Sequence, residues 1–427
     1  MKASNIKSKL QASTPNVFSS LYDAPQAQCA RYIAAIDAFS SLYDKAEYRE
    51  LSLFSVPGRS EISGNHTDHQ HGRVLAGAIN RDILAVAAKN DDGIVRLKSE
   101  GYDEDAVSLA GDLLPEQFEA YTSRALIAGT CDAFRARGYR VGGFDAYTTT
   151  EVLKGSGISS SAAFEVMIGN ILNHLYNEGK IPNEELAMIA QYAENKFFKK
   201  PCGLMDQMAC AVGGFVYIDF EHPTEPKIEQ IPFSLSDAGY LLCIVNTGGN
   251  HADLNEDYAS VPKEMCGVAA CLGQNVLRPL SEEDIFKNIH SLREKTGDRA
   301  ILRAIHFMRE NERVLHLAEA LRMGKTDTFL QGVLDSGNSS FRYLQNVYTN
   351  KNINEQGLSL ALALTEGFLA DKKGAWRVHG GGFAGTIQAF VPKAYADNYR
   401  TLMNTVFGDG AVMVLSIRES GAIQIHI

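Results

Sequence analysis

Four short stretches of this 427-residue chain concentrate residue types that could do chemistry. Gly155-Ser156-Gly157-Ile158-Ser159-Ser160-Ser161-Ala162 puts two glycines and three consecutive hydroxyls between a Tyr/Thr/Val-rich segment, Phe144 to Leu153, and an apolar one beginning at Phe164. The first segment reads as a strand and the second as a buried helix. Glycines let a backbone approach a ligand closely, and a helix N-terminus adds partial positive charge; these are the parts of an anion or phosphate cradle. A plain tight turn with an N-cap reads the same residues without a ligand. The P-loop and dinucleotide fingerprints both fit poorly, because no Gly-Lys-Ser/Thr ending and no third glycine are present.

Pro57 to Gly72 is the second cluster, with Arg59, Asn65, His66, Asp68, His69 and His71. Its imidazoles and carboxylate allow a metal site, a solvated loop, or a loop that hydrogen-bonds the vicinal hydroxyls of a sugar or polyol. Third, Glu194 stands on a charged helix, and Asp206 follows a Pro201-Cys202-Gly203 break at a helix start. Asp206 fits a helix cap or a general base at a substrate hydroxyl; Glu194 fits a surface position or a ligand. Fourth, Gly380-Gly381-Gly382-Phe383-Ala384-Gly385 precedes a strand, as a flexible turn or a place of close backbone approach.

The elements that must position these residues read as α+β. Residues 1 to about 50 are mainly helical; strands are expected at Leu51 to Val56, ending at Pro57-Gly58, and at Ile83 to Ala88 and Ile94 to Lys98. A helix is expected over Pro115 to Arg137, and others at Asn183 to Phe198 and from Met205. Further strands fall at Phe215 to Phe220 and Tyr240 to Asn246. Long helices cover Glu282 to Arg322 and Lys325 to Asn350, before strands at Gly385 to Val391, Ala411 to Ile417 and Ala422 to Ile427. A chain this long exceeds one ordinary core, and the polar stretch Glu221 to Pro226 suggests domains of 1–225 and 226–427.

A formal net charge of −10 argues against a nucleic-acid partner, which calls for a basic face. Seven scattered cysteines without a CxxC pair fit a reducing compartment. No apolar run approaches the roughly 20 residues of a membrane span, and the first residues lack the apolar core of a signal peptide. A cytoplasmic protein with no membrane association and no obligatory protein partner is expected.

The four stretches occur in the order of one family. The chain resembles galactokinase, a GHMP small-molecule kinase, over nearly its whole length. Pro57 to His69 is similar to that family's Pro-Gly-Arg…Gly-Glu-His-Thr-Asp-Tyr sugar signature, and Gly155 to Ala162 to its Gly-x-Gly-Leu-Ser-Ser-Ser-Ala motif. Pro201 to Gln207 resembles Pro-Cys-Gly-Ile-Met-Asp-Gln, and Gly380 to Gly385 resembles the late Gly-Gly-Gly-Phe-Gly-Gly motif.

The resemblance implies a two-domain GHMP fold, with an N-terminal domain of ribosomal-S5-like type, a C-terminal ferredoxin-like domain and an active site in the cleft between them. It implies transfer of a phosphoryl group from ATP to the C1 hydroxyl of galactose, giving α-D-galactose 1-phosphate and ADP. By the same resemblance, Asp206 is the catalytic base and Arg59 the residue that stabilises charge during transfer. Ser161 and Glu194, twelve residues before Asp206, are the Mg²⁺ ligands. Asn65, His66, Asp68, Gly203 and Tyr258 contact the sugar, Tyr258 through the pattern His251-x-x-Leu254-x-x-x-Tyr258. ATP is held by Gly155, Ser156, Gly157, Ile158, Ser159, Ser160 and Ser161, with Ser99 a weaker match.

Two positions depart from the pattern. Asn65 replaces a glutamate that grips the sugar's 6-hydroxyl, and His69 replaces the final tyrosine. An amide forgoes the charge-assisted bond, roughly twice as strong as a neutral one. It also removes a repulsion that would exclude a uronic acid. A C1 kinase for galacturonate, N-acetylgalactosamine or arabinose is therefore the alternative. A non-catalytic galactose and ATP sensor is the reading from another class, against which Arg59, Asp206, Glu194 and the full serine run weigh.

Overall fold

The computed structural model describes residues 1–152, 157–200, 202–249 and 254–427. Gly155 and Ser156 of the glycine–serine run, Pro201 and His251 lie outside the described residues. The chain divides into two compact units, and no single cut separates them. One unit comprises 1–59, 78–214 and 418–427, and the other 60–77 and 215–417. The chain passes between the units within two long strands, β1 (Ser52–Ser63) and β2 (Arg73–Lys89), as well as at residues 214/215 and 417/418. The boundary expected near 225 falls inside the second unit: the polar stretch Glu221 to Pro226 joins two paired strands, Phe215–Asp219 and Lys227–Ile231, and marks none of the four passages.

In the first unit, helices α1 (Ala3–Ala12), α2 (Asn16–Leu21) and α3 (Pro25–Leu42) precede β1 and β2. Then follow β3 (Ile94–Ser99), β4 (Glu104–Ser108), helix α4 (Ser123–Ala136), β5 (Phe144–Thr150), and helices α5 (Ser160–Tyr176), α6 (Asn183–Ala193) and α7 (Met205–Val212). β2 pairs antiparallel with β5 from Ile83↔Thr150 to Lys89↔Phe144, and β3 runs parallel to β5. Tyr32, Ile36 and Phe39 of α3 pack with Leu53, Leu84 and Val86 of the sheet into one apolar cluster. The expected helix from Pro115 starts only at Ser123, where the Thr122 hydroxyl accepts from the Ala125 N–H as an N-cap.

Beneath α3 lies a buried ionic knot. Asp82 accepts from Arg31 Nη1 at 2.6 Å, from the Tyr22 hydroxyl at 2.5 Å and from Ser55, and Arg418 stands 3.5 Å away. Burial works to raise the Asp82 carboxyl, but Arg31 and Arg418 hold it below the ordinary range. The knot joins α2, α3, β1 and β2 just before β1 reaches Arg59.

The second unit holds β6 (Phe215–Asp219), β7 (Lys227–Ile231), β8 (Tyr240–Asn246), helices α8 (Asn255–Cys271), α9 (Glu282–Lys287), α10 (Ile289–Thr296), α11 (Asp298–Arg322), α12 (Thr326–Ser339) and α13 (Gly357–Leu369), strands β9 (Ala375–His379) and β10 (Thr386–Pro392), helix α14 (Ala396–Phe407) and β11 (Val412–Leu415). The last strand, β12 (Ile423–Ile425), returns to the first unit and pairs with β1. β11, β8, β10 and β9 form an antiparallel sheet in that order. Val245, Ile387, Ala389 and Val391 of this sheet pack against Leu358, Ala361 and Leu369 of α13 and Tyr399 and Met403 of α14. The α+β, two-domain reading agrees with this architecture. The helical stretch expected over Glu282 to Arg322 comprises three helices, the last beginning after Gly297, whose φ is +81°. Among the described residues no helix is long and apolar enough to cross a membrane, and all seven cysteines are free thiols.

Candidate active site

β1 does not end at Pro57-Gly58. It continues to Ser63 with Val56 through Ser63 all buried, so Arg59 is a strand residue and its backbone is fixed. The reason is a close approach. The Arg59 N–H donates to Ile158 O at 3.1 Å, and a Cβ on Gly58 would stand 2.6 Å from that same oxygen. Gly58→Ala is therefore expected to push the strand off the 157–159 loop at a cost of about 1–3 kcal/mol. Thermal unfolding and kcat should both report the shift, and an unchanged kcat would show that Arg59 does not depend on this approach.

Gly157 and Ser159 have φ of +75° and +60°, turning the chain sharply into α5 at Ser160. The Arg59 guanidinium meets this turn and α7 together. Nη1 donates to Gly157 O at 2.6 Å, while Nε and Nη2 donate to the two Asp206 oxygens at 2.7 and 2.8 Å. The Ser159 hydroxyl donates to Asp206 Oδ2 at 2.5 Å. Asp206 is thus not a cap: Leu204 holds the N-cap position of α7 without a side-chain bond, and Asp206 sits in the first turn. Its side chain is 34% exposed, open enough to meet a ligand. Burial works to raise its carboxyl, but Arg59, then Ser159 and Lys200, hold it below the usual carboxylate range.

Glu194 is not a surface residue, being 2% exposed. α6 ends in a π-helical turn, Glu194–Phe198, which points the carboxylate inward. Its oxygens accept from Lys200 Nζ at 2.8 Å and from Gln207 Nε2 at 2.6 Å. Glu165, on α5 one turn after Ser161, is also fully buried, and burial together with the Glu194 charge raises its carboxyl well above the ordinary range. Two acids offset by one lysine, with Glu165 Oε1 lacking a partner among the described residues, suit a divalent cation. Ser99 ends β3 and accepts from the Thr148 hydroxyl at 3.0 Å; Gly203 is exposed in the turn before α7.

The histidine-rich cluster belongs to the second unit. His66 has φ of +58°, and its Nε2–H donates to Gly381 O at 2.9 Å. Burial and the neighbouring His69 push its pKa down to about 3, so the ring is neutral. Tyr258 of α8 donates its hydroxyl to Gly382 O at 2.8 Å and stacks edge-on against Phe383. Asp68 Oδ1 accepts from the His69 N–H at 2.9 Å. The late glycine motif is therefore the surface on which the signature and Tyr258 converge. Gly382, at φ +82°, lies against Asn346, where any Cβ would clash.

Asn65 behaves otherwise than expected. It is fully buried, its Nδ2 donates to Glu61 Oε1 at 2.8 Å and Gly380 O at 2.7 Å, and its Oδ1 accepts from Asn346 Nδ2 at 2.6 Å. Every position on the amide is taken by protein, and through these bonds Asn65 pins the glycine turn. α11 holds the same segment from beneath. Glu310 accepts from the Gly64 N–H at 2.9 Å and the Ser63 hydroxyl at 2.7 Å, and His306 Nε2–H donates to Asn65 O at 2.9 Å. Sequence reading missed Glu165, Gln207, Glu61, Asn346, His306 and Glu310. The one local signal was a carboxylate, Glu165, inside the apolar run Ala162 to Gly169.

Residues 37–89 match the galactokinase galactose-binding signature, and residues 125–214 match the GHMP kinases N terminal domain. A galactokinase of Streptomyces coelicolor is 32% identical over 383 residues, covering 87% of this chain and 94% of that protein. The chain belongs to the galactokinase family. A second member, from Actinobacillus pleuropneumoniae serotype 5b, is 31% identical over 382 residues, 86% of this chain and 92% of its own. The crystal structure of Lactococcus lactis galactokinase complexed with galactose superposes with a TM-score of 0.77 at 22% identity, covering 93% of this chain and all of that one. The fold is thus that of the GHMP kinases, and family membership makes this an ATP-dependent phosphotransferase.

Proposed function

We propose that this family member transfers the γ-phosphoryl group of ATP to the C1 hydroxyl of galactose, in the cytoplasm, releasing α-D-galactose 1-phosphate and ADP. The observation that carries the reading is the fork between Arg59 and Asp206. It brings together residues from two of the sequence motifs and closes on the loop that opens α5.

Phosphoryl transfer asks a protein mainly for positioning and for neutralisation of spread negative charge. The 157–161 loop and the α5 N-terminus present N–H dipoles and hydroxyls to the nucleotide phosphates. Arg59 faces the transferring group, a role worth roughly 10³–10⁵ in rate where an arginine performs it. As the C1 oxygen bonds to phosphorus and the bond to the ADP oxygen breaks, the hydroxyl proton passes to Asp206. Ser161 and Glu194 would hold Mg²⁺, which when bound neutralises phosphate charge. His66, Asp68, Gly203 and Tyr258 are the proposed sugar contacts. The glycine turn pinned by Asn65 sets where His66 and Tyr258 stand.

The test is ATP turnover against free galactose, galacturonate, N-acetylgalactosamine and arabinose, with the product identified by phosphorus NMR. Galactose is expected to give the highest kcat/KM and an α-1-phosphate. Strong turnover of another sugar with none on galactose would overturn the assignment.

A further inference from the structure

Gln207 directly follows Asp206 on α7, yet it has no place in the reaction described above. It is fully buried, and its Nε2 serves two carboxylates at once, Glu194 Oε2 at 2.6 Å and Glu165 Oε2 at 3.2 Å, with Cys202 Sγ 3.6 Å away. Glu165 in turn lies one helical turn after Ser161 on α5, so the two side chains share a helix face. Gln207 Oε1 and Glu165 Oε1, both buried, have no hydrogen-bond partner among the described residues.

This is a poor way to build a core. A buried polar atom without a partner costs about 1–3 kcal/mol, and buried ionic groups are often replaced by apolar ones without loss of stability. The arrangement makes sense if the carboxylate that Gln207 grips must be aimed. The grip also spans three elements: the α5 face carrying Ser161, the π turn carrying Glu194, and the α7 turn carrying Asp206.

We propose that Gln207, backed by Glu165, is a positioning residue that fixes the Glu194 carboxylate for a divalent cation and ties its placement to the turn that carries Asp206. The proposal rests on the phosphoryl-transfer reading above. Groups that orient a metal ligand typically change metal affinity 10–100-fold when removed. A merely structural Gln207 would change melting and leave metal binding alone.

The experiment is Mn²⁺ binding in the presence of ADP, followed by EPR, on the full chain and on Gln207→Met and Glu165→Gln. Galactose binding and thermal unfolding are measured beside it. Gln207→Met keeps side-chain length and removes the donor; its Mn²⁺ dissociation constant is expected to rise about 10–100-fold, with galactose affinity unchanged. Glu165→Gln is expected to shift it in the same direction by less, and it decides the matter if Gln207→Met does not fold. Wild-type Mn²⁺ affinity in both variants, whatever their melting temperatures, would overturn the proposal. If the unaltered chain shows no metal-dependent ADP binding, the phosphoryl-transfer reading falls as well. That result is distinct from the failure of the positioning role alone.

Discussion

Replacing Asp206 by alanine is expected to lower kcat by roughly 10²–10⁴-fold, the range for loss of a positioned acid–base group, while nucleotide binding is retained. The separation follows from the geometry. Asp206 accepts both forks of Arg59 and the Ser159 hydroxyl, all of which remain in the variant, and Arg59 keeps its bond to Gly157 O. Removing the carboxylate frees a guanidinium to face the phosphates, so ATP binding should hold or tighten. Asp206→Asn should lose as much kcat as the alanine variant, because an amide keeps the shape and cannot take a proton. The pH profile checks the same assignment. Arg59, Ser159 and Lys200 hold the Asp206 carboxyl low, so it stays ionised above its depressed pKa and is lost as an acceptor only as pH falls through that value. Activity should therefore show no acid limb until below the usual carboxylate range, about pH 4. Near-normal kcat in Asp206→Ala, or an acid limb centred at about 6–7, where histidine titrates, would remove Asp206 from its role.

The extent to which the site was readable depends on how local each constraint is. The glycine–serine turn, the signature and the Asp206 block announce themselves because turns and helix starts demand particular residue types at adjacent positions. What Asp206 does there is not local: its partner Arg59 is 147 residues away. Helix-start chemistry alone therefore suggested a cap, and the structure gives the N-cap position to Leu204. Glu194 read as surface because its neighbours are charged, and only the π turn directs it inward. The full length of β1 is hidden for a related reason. Pro57-Gly58 reads as a terminator, whereas here the missing Cβ is what lets the strand pass Ile158. Gln207 and Glu165 stayed unassigned because an amide and an acid on helices are ordinary residues until their shared neighbour is known.

Asn65→Glu would supply the residue that the sugar-signature resemblance carries, and it is expected to damage the protein rather than improve its grip on galactose. The incoming carboxylate would meet Glu61 Oε1 and Gly380 O, two acceptors now served by the Asn65 amide donor. Arg377 Nη2 already donates to that same Glu61 Oε1 at 3.3 Å and its Nη1 to Ile62 O, so its charge is engaged by Glu61. A buried charge left without compensation costs about 3–5 kcal/mol, which should appear as a large fall in melting temperature. The glycine turn would lose its pin at Gly380, and the places of His66 and Tyr258 against Gly381 and Gly382 would go with it, raising KM for galactose. Glu61→Gln in the same chain supplies a donor to the new carboxylate and removes the like charge. A double-mutant cycle should therefore return a favourable coupling of roughly 1–3 kcal/mol between the two changes. If Asn65→Glu instead melts like the wild type and binds galactose more tightly, position 65 faces the sugar and the turn is held by other means. The exchange of acid and amide between positions 61 and 65 would then be a specificity device rather than a packing one.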